Sequence, residues 1–200
     1  IIINKAFKQK STNEKTYPIR QIHFDVNLAK NHRKRILSGI EVYFPYSPYS
    51  NQIKYMEKLI QSFQNNSITA LESPTGTGKT LCLLCASLAY LKYLREKLIN
   101  ENLGKSYNDK KQPIIFYTSR THSQLINVID ELKKTCYRPI TAIYCSRDIS
   151  CINNDIKEYK GNILNQKCKY FINKKYSCPY YTNSFLNKNY LYSNECENIE

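Results

Sequence analysis

The sequence predicts an α/β fold in which strands alternate with helices and form a parallel sheet with flanking helices. Residues 68–71 and 113–117 are short apolar runs typical of buried strands, and each is followed by apolar residues at helical spacing. In a parallel sheet the carboxyl ends of the strands meet at one edge, where ligands bind. We therefore expect residues 73–80 and 118–124, which follow the two strands, to form the functional edge.

The remaining elements follow in chain order. Residues 52–63 are typical of an amphipathic helix, residues 81–94 of a packed helix, and residues 125–132 of a third helix. Residues 100–112 are polar and turn-rich and predict a surface connection, whereas residues 140–144 predict a third strand. After Cys145 the chain is rich in Lys, Asn and Tyr and lacks clear strands. These changes divide the chain into a basic extension (1–38), a first domain (39–146) and an insertion (147–200).

The segment 73–80 has the layout of a nucleotide-phosphate loop between a strand and a helix. Gly76 and Gly78 let the backbone curl so that successive N–H groups face phosphate oxygens, at the positive end of the next helix. Lys79 is placed to reach the β- and γ-phosphates of ATP, and Thr80 to hold Mg²⁺. The strict pattern has Gly at position 73, and a Gly-rich turn without a ligand is the alternative. The candidate residues are Ser73, Pro74, Thr75, Gly76, Thr77, Gly78, Lys79 and Thr80.

The charge of the chain favours an acidic polymer as its partner. The net charge is +14 over 200 residues, which favours nucleic acid before membrane. No apolar run approaches the roughly 18 residues of a membrane span. The basic run at residues 32–35 is either a nuclear-import or backbone-binding patch or a solvated basic face. The chain does not begin with Met, and we expect it to be part of a longer protein.

The eight cysteines fall into two groups. Cys82 and Cys85 lie inside the apolar helix and are expected to be small core residues, with a metal or redox role as the alternative. The other group lies in a polar segment that has too little apolar surface for a stable core and needs a cross-link, here called a staple. This group comprises Cys151, Cys168, Cys178 and Cys196. An intracellular phosphate-loop protein keeps its thiols reduced, which favours metal over disulfides. Wide spacing suits an iron–sulfur cluster better than zinc, although spacing alone leaves both open.

Two phrases resemble the iron–sulfur branch of superfamily 2 DNA helicases, of the xeroderma pigmentosum group D type. Residues 71–85, Leu-Glu-Ser-Pro-Thr-Gly-Thr-Gly-Lys-Thr-Leu-Cys-Leu-Leu-Cys, resemble helicase motif I. Residues 117–125, Tyr-Thr-Ser-Arg-Thr-His-Ser-Gln-Leu, resemble motif Ia. The resemblance covers about residues 39–200 and is stronger up to Cys151. It implies that residues 39–146 are the first part of a RecA-like helicase domain 1, and that residues 147–200 are an incomplete, mostly helical iron–sulfur insertion.

The same resemblance implies an activity and several site residues. The parent protein would be an ATP-dependent 5′–3′ DNA helicase with a 4Fe-4S cluster, acting in the nucleus in DNA repair, recombination control or telomere maintenance. Gln52 would bind the adenine edge, for which a planar amide is suited, although an ordinary helix N-terminal Gln is the alternative. Single-stranded or junction DNA would be held by Thr118, Ser119, Arg120, Thr121 and His122, whose alternative is a plain polar loop.

By resemblance, Cys151, Cys168 and Cys178 are the first three cluster ligands, and the fourth lies past residue 200. The competing alignments make Cys196 the fourth ligand, or Cys178. The insertion also interleaves lysines with aromatic residues, which would either contact DNA at the point of strand separation or form a solvated basic surface; these are Lys157, Lys160, Lys167, Lys169, Lys174 and Lys175 with Tyr159, Tyr170, Phe171 and Tyr176.

The chain lacks the carboxylate pair that positions Mg²⁺ and the attacking water. No Asp-Glu-x-His phrase occurs, and Asp130-Glu131 is followed by Leu132-Lys133. We expect the parent protein to hydrolyse ATP, and this chain alone to bind nucleotide weakly without turnover. The alternative is a nucleic-acid-binding phosphate-loop protein with a zinc-stapled insertion and no helicase activity.

Overall fold

The computed structural model describes residues 2–4, 21–101, 113–173 and 178–186. The chain forms two compact units, Ile1–Pro139 and Ile140–Glu200. Several predicted features lie outside the described residues, namely most of the basic extension, the connection at 102–112, Lys174, Lys175, Tyr176 and Cys196. The three segment boundaries inferred from the sequence stay predictions.

The first unit opens with short elements that lead into a β-hairpin. These are β1 (Ile2–Asn4), β2 (His23–Phe24), α1 (Val26–Ala29), β3 (Arg33–Leu37) and β4 (Ile40–Phe44). The hairpin turns at Ser38 and Gly39, whose φ angles are 45° and 81°. Two successive positive φ angles match the right-handed twist of the strands, as in a type I′ turn. The turn sets a register in which Leu37 lies opposite Ile40, so alternate β4 residues face the core.

Two long helices form the centre of the first unit, and both were predicted. They are α2 (Ser50–Gln64) and α3 (Lys79–Glu101), which pack against each other. α2 buries one face through Met56, Leu59 and Ile60. From Leu81 to Leu91, α3 is buried on nearly all sides, as expected of a helix that is apolar all round. Phe63 and Tyr90 stack between the helices with ring centroids 5.5 Å apart.

The described strands are paired antiparallel, so the predicted parallel sheet is not found among them. The later elements are β5 (Ile114–Phe116), α4 (His122–Lys134) and β6 (Tyr137–Arg138), and the third predicted helix is confirmed as α4. β1 pairs with β5, β2 with β6 and β3 with β4, giving three separate two-stranded ladders. β5 is confirmed as a strand, but it is half-buried to exposed rather than buried. Among the described strands only β1 pairs with it.

The strand predicted at residues 68–71 is wrong. These residues have no regular structure, and Ile68 is fully exposed. A short apolar run becomes a buried parallel strand only when neighbours on both sides accept its backbone hydrogen bonds. None of the described strands lies beside this segment.

Aromatic side chains connect β2, β4 and β6. Tyr137 is completely buried, and its Oη accepts a hydrogen bond of 3.0 Å from the Tyr43 N–H. The Phe24 ring meets Tyr43 and Tyr137 edge-on, with centroids 5.0 and 5.7 Å away. Edge-to-face packing is a favoured arrangement of aromatic rings. The three segments, which are far apart in sequence, are therefore held by one small aromatic cluster.

The second unit is helical in its described part. It contains α5 (Arg147–Ser150), α6 (Gly161–Asn173) and α7 (Pro179–Leu186). The strand predicted at 140–144 is wrong: the segment is irregular and the Tyr144 side chain is 98% exposed. Its apolar residues have no strand to pair with in the described part of this unit. The Asp148 Oδ1 accepts a hydrogen bond of 2.6 Å from Gly161 N, which satisfies a free N–H at the start of α6.

Candidate nucleotide-binding site

The candidate phosphate loop lies between irregular chain and the first turn of α3, which begins at Lys79. Gly76 and Gly78 have φ angles of 78° and 73°, in the left-handed region that favours glycine. Cys82 N donates to Gly78 O over 3.0 Å, so the helix hydrogen bonds start directly after the second glycine. The loop therefore ends at a helix N-terminus, where the helix dipole favours an anion.

Side chains within the loop bind its own backbone. The Lys79 Nζ donates to Ser73 O at 2.8 Å and to Pro74 O at 2.6 Å. The Thr77 hydroxyl donates to Pro74 O at 2.8 Å and lies 2.6 Å from the Ser73 hydroxyl. Ser73, which replaces the glycine of the strict pattern, thus contributes both a carbonyl and a hydroxyl to the loop. The Lys79 ammonium is held over the loop by carbonyl oxygens that a phosphate oxygen can replace.

Gln52 connects the start of α2 to the phosphate loop. Its Oε1 accepts from Tyr49 N at 2.9 Å, which caps a free N–H at the start of the helix. Its Nε2 donates to Thr77 O at 2.9 Å. One N–H and one lone pair of the amide remain for a further partner. The structure brings Gln52 to the loop, and its predicted role toward adenine stays a prediction.

Gln52 approaches Gly78 so closely that a side chain at position 78 would require the end of the Gln52 side chain to shift. An added Cβ at Gly78 would lie 2.9 Å from the Gln52 Nε2. An added Cβ at Gly76 would meet nothing within 4 Å. The two glycines therefore share a backbone conformation but differ in their surroundings. Both positions favour glycine by φ, and at Gly78 a side chain would in addition displace the end of the Gln52 side chain.

The remaining loop residues are arranged around an open surface. Pro74, Thr75 and Gly76 are exposed, whereas Lys79 and Thr80 are half-buried. The site thus offers an ammonium group, hydroxyl groups and a helix N-terminus to a ligand that can reach it from solvent. This combination suits the phosphates of a nucleotide.

The second predicted loop also lies between a strand and a helix. It follows β5 and ends at Thr121, the N-cap of α4, whose hydroxyl accepts from Gln124 N at 3.3 Å. The Ser119 hydroxyl donates to Gln124 Oε1 at 2.6 Å, so Gln124 organises both residues. The side chains of Thr118 and Arg120 are exposed, and His122 is half-buried. Exposed hydroxyl and guanidinium groups are suited to a phosphate backbone.

The adjacent carboxylates of Asp130 and Glu131 form ion pairs with lysines of their own helix. Asp130 and Glu131 lie in α4, where their oxygens are 3.6 Å from Lys133 Nζ and 2.6 Å from Lys134 Nζ. Lysines on the same helix thus neutralise both groups. The expectation that Asp130 and Glu131 do not position an attacking water stays a prediction.

The cysteines of the first unit are core residues, as predicted for Cys82 and Cys85. Both are buried, as is Cys136, and all three thiols are free. Burial raises the pKa of the Cys82 and Cys136 thiols to about 11, and that of Cys85 well above its ordinary value. A protonated, buried thiol is a poor nucleophile and a poor metal ligand. These residues serve packing.

The cysteines of the second unit have the chemistry of metal ligands, but the described residues alone do not complete a metal site. Cys151 and Cys168 are half-buried, Cys178 is buried, and all three are free thiols. Such donors fit an iron–sulfur cluster or zinc. Among residues 21–101, 113–173 and 178–182, no three His, Cys, Asp or Glu side chains form a group that could hold a metal ion.

Asn153 is a residue that the sequence did not single out. It is 5% exposed, and its Nδ2 donates to Cys178 Sγ over 3.7 Å. In the sequence, Asn153 can be noticed only as an amide two residues after Cys151, in a segment with several other asparagines that are exposed. Its burial distinguishes it from them, and burial cannot be read from composition.

Some of the interleaved lysines of the second unit contact an aromatic ring or a backbone oxygen of the same unit. The Lys167 Nζ lies 4.3 Å from the centroid of the Tyr159 ring, a cation–π contact. Lys160 Nζ donates to Asp148 O at 3.1 Å. Tyr170 remains 62% exposed.

Within the described ranges, no helix has the length and apolarity to cross a membrane.

Comparison with known proteins identifies the class. Residues 117–200 match the model of the DEAD_2 family. Over 155 residues the chain is 41% identical to a regulator of telomere elongation helicase 1 homolog of Arabidopsis thaliana, covering 70% of the chain and 15% of that protein. It is 34% identical to the Oryza sativa subsp. japonica homolog over 195 residues, covering 82% of the chain and 19% of that protein. No solved structure matches the chain significantly.

These matches support the interpretation of the chain as a fragment similar to helicases of the xeroderma pigmentosum group D type. Among such proteins it is similar to the regulator of telomere elongation helicase. The human protein of that name is 37% identical over 176 residues, which cover 75% of this chain and 14% of that protein. The chain spans less than a fifth of the length of these relatives.

Proposed function

We propose that this chain is the ATP-binding part of an ATP-dependent DNA helicase that acts in genome maintenance in the nucleus. The observation that carries the proposal is the phosphate loop. Its two left-handed glycines precede a helix that opens with Lys79, and Gln52 is bonded to its backbone. The similarity to telomere elongation helicases supports DNA as the polymer that the motor acts on.

In this proposal Lys79 exchanges two loop carbonyls for phosphate oxygens. The ammonium is already positioned over the loop by Ser73 O and Pro74 O, so binding a triphosphate replaces contacts rather than requiring new order. The N–H groups at the start of α3 add hydrogen bonds to the same oxygens. The Thr80 hydroxyl would be a ligand of Mg²⁺, and Gln52 would use its remaining N–H and lone pair on adenine.

The proposed DNA contact is the loop from Thr118 to His122. Its exposed hydroxyls, the Arg120 guanidinium and the N-terminus of α4 suit the phosphates of a single strand. Gln124 fixes Ser119 and Thr121, so the loop is organised before DNA arrives. We propose 5′–3′ movement along that strand, as the family resemblance implies.

A 4Fe-4S cluster is proposed as the staple of the second unit. Cys151, Cys168 and Cys178 would each hold one iron, and a fourth cysteine would complete the site. When bound, a cluster cross-links distant points of a small unit and adds a redox-active centre. The described apolar core of this unit is small, with Ile156 and Leu164 as its fully buried aliphatic residues, which supports the need for a staple.

Replacement of Lys79 in the full-length parent tests the proposal. We expect K79A to lower DNA-stimulated ATP hydrolysis about a hundredfold, since the variant removes a charge aimed at the transferred phosphate. K54A, which removes an exposed lysine of α2, is the matched control and should keep the activity. Undiminished hydrolysis by K79A would overturn the assignment of the loop.

Metal analysis of the same preparation separates the proposal from its alternative. Anaerobically purified protein should contain iron and sulfide and absorb visible light. A colourless protein with stoichiometric zinc would replace the cluster by a zinc staple. Zinc together with no unwinding of a DNA junction would favour a non-motor nucleic-acid-binding protein.

A further inference from the structure

The buried amide of Asn153 has a defined partner that none of the roles above uses. Asn153 is 5% exposed, and its Nδ2 donates to the Cys178 sulfur over 3.7 Å. It lies two residues after Cys151, whereas Cys178 directly precedes α7. The hydrogen bond therefore joins the chain next to one predicted ligand to the sulfur of another.

The hydrogen bonds of Asn153 fix which end of the amide faces the sulfur. Its Oδ1 accepts from Asp155 N at 2.9 Å, which identifies that atom as the oxygen and leaves Nδ2 toward Cys178. Its backbone O accepts from Ile156 N at 3.1 Å and from Lys157 N at 2.8 Å. The donor is thus held in place by its own turn before any ligand binds.

Cys178 is held equally well on its side of the contact. Its backbone O accepts from Thr182 N and from the Thr182 hydroxyl, both at 3.0 Å. The residue is 9% exposed, so little water competes for the sulfur. A hydrogen bond shielded from water is stronger than an exposed one, and an unpaired buried amide is costly. The contact is a built feature of the second unit.

We propose that Asn153 is a positioning residue for the metal-binding thiols, which orients Cys178 and donates a hydrogen bond to its sulfur when that sulfur binds a cluster. The inference rests on the proposed cluster. Hydrogen bonds to cluster sulfurs raise the reduction potential, because they stabilise the more negatively charged state. Partners outside the ligand set typically contribute about 10- to 100-fold to metal affinity.

The test uses the full-length parent, purified anaerobically, with three variants. N153L removes the amide, and N153D keeps its shape but turns an acceptor toward the sulfur. N154L is the matched control, because Asn154 is the exposed neighbour of the same type. The measurements are iron content, midpoint reduction potential, rate of bleaching by a chelator and far-ultraviolet circular dichroism.

We expect N153L and N153D to have a lower midpoint potential and to bleach about tenfold faster, with N154L unchanged. Loss of iron from both Asn153 variants, with an unchanged helical signal, would also support the inference. An unchanged potential in iron-loaded variants would overturn it and leave the cluster in place. Loss of the helical signal together with iron would overturn it too, since Asn153 would then serve the fold. Wild-type protein without iron would overturn the cluster proposal and this inference with it.

Discussion

Substituting Gly76 and Gly78 in turn measures how much the contact between Gln52 and the loop contributes to the free energy of unfolding. G76A and G78A both place an alanine in the left-handed region, at φ angles of 78° and 73°, which costs roughly 1–2 kcal/mol. In G78A the new Cβ would lie 2.9 Å from Gln52 Nε2, so the end of the Gln52 side chain must shift, and we expect its hydrogen bond to Thr77 O to be lost. The lost hydrogen bond adds about 1 kcal/mol. We therefore expect G78A to destabilise the chain by about 1 kcal/mol more than G76A.

Urea unfolding of the 200-residue chain, followed by far-ultraviolet circular dichroism, measures this difference. The same pair of substitutions in a Q52A background provides the control, because Q52A removes the atom that the new Cβ meets. There the difference between positions 76 and 78 should shrink to within about 0.5 kcal/mol, the range expected of independent sites. Equal losses in the two single variants, or a difference that persists with Q52A, would refute the proposed link between α2 and the loop.

Three further predictions concern buried side chains of the first unit. At neutral pH, iodoacetamide should modify the half-buried Cys145 and spare Cys82, Cys85 and Cys136. Burial raises the pKa of the Cys82 and Cys136 thiols to about 11 and that of Cys85 well above its ordinary value, so these thiols stay protonated. Peptide mass spectrometry measures the labelling, and equal labelling of all four cysteines would contradict the prediction. The same raised pKa values stabilise the fold below about pH 9, and this stability should be lost as pH rises toward about 11, since unfolded thiols ionise first. Y137F should cost about 1–3 kcal/mol in urea unfolding, because Tyr43 N loses its acceptor, whereas Y144F at an exposed ring should cost nothing measurable.

The helices were predictable because their signal is local. The apolar residues of α2 recur at helical spacing, and those of α3 surround the helix from Leu81 to Leu91, so the local sequence predicts which part of each helix is buried. The backbone conformation of the candidate phosphate loop was predictable for a similar reason. Its glycines, Lys79 and the start of α3 are adjacent in sequence, and the φ angles at Gly76 and Gly78 confirm the expected backbone.

The strands were less predictable because a strand depends on partners that the local sequence does not name. Ile68 and Tyr144 lie in apolar runs that look like strands, yet both side chains are exposed. Conversely, β2 and β6 have two residues each and pair across more than a hundred positions of the chain. No periodicity can be read from two residues. Their position is fixed by the aromatic cluster of Phe24, Tyr43 and Tyr137.

Contacts between site residues that are far apart in the chain could not be predicted from the sequence either. Gln52 was recognised by resemblance as a candidate for adenine, but its bond to Thr77 O, 25 positions away, required the structure. The same holds for Asn153 and Cys178, which are 25 positions apart. Both contacts depend on how helices pack, and packing follows from the complete set of side chains rather than from a motif.

The exposed segment at residues 67–72 has a practical consequence for work with this chain. It presents Ile68, Thr69 and Ala70 to solvent, with backbone groups that no described strand pairs. Unpaired backbone groups beside an exposed apolar side chain can pair with a strand of another molecule, as the groups at a sheet edge do. Because the segment leads directly into Ser73, self-association there would also clamp one end of the phosphate loop. Nucleotide affinity measured on this chain should therefore vary with protein concentration, and dilution series belong in any titration.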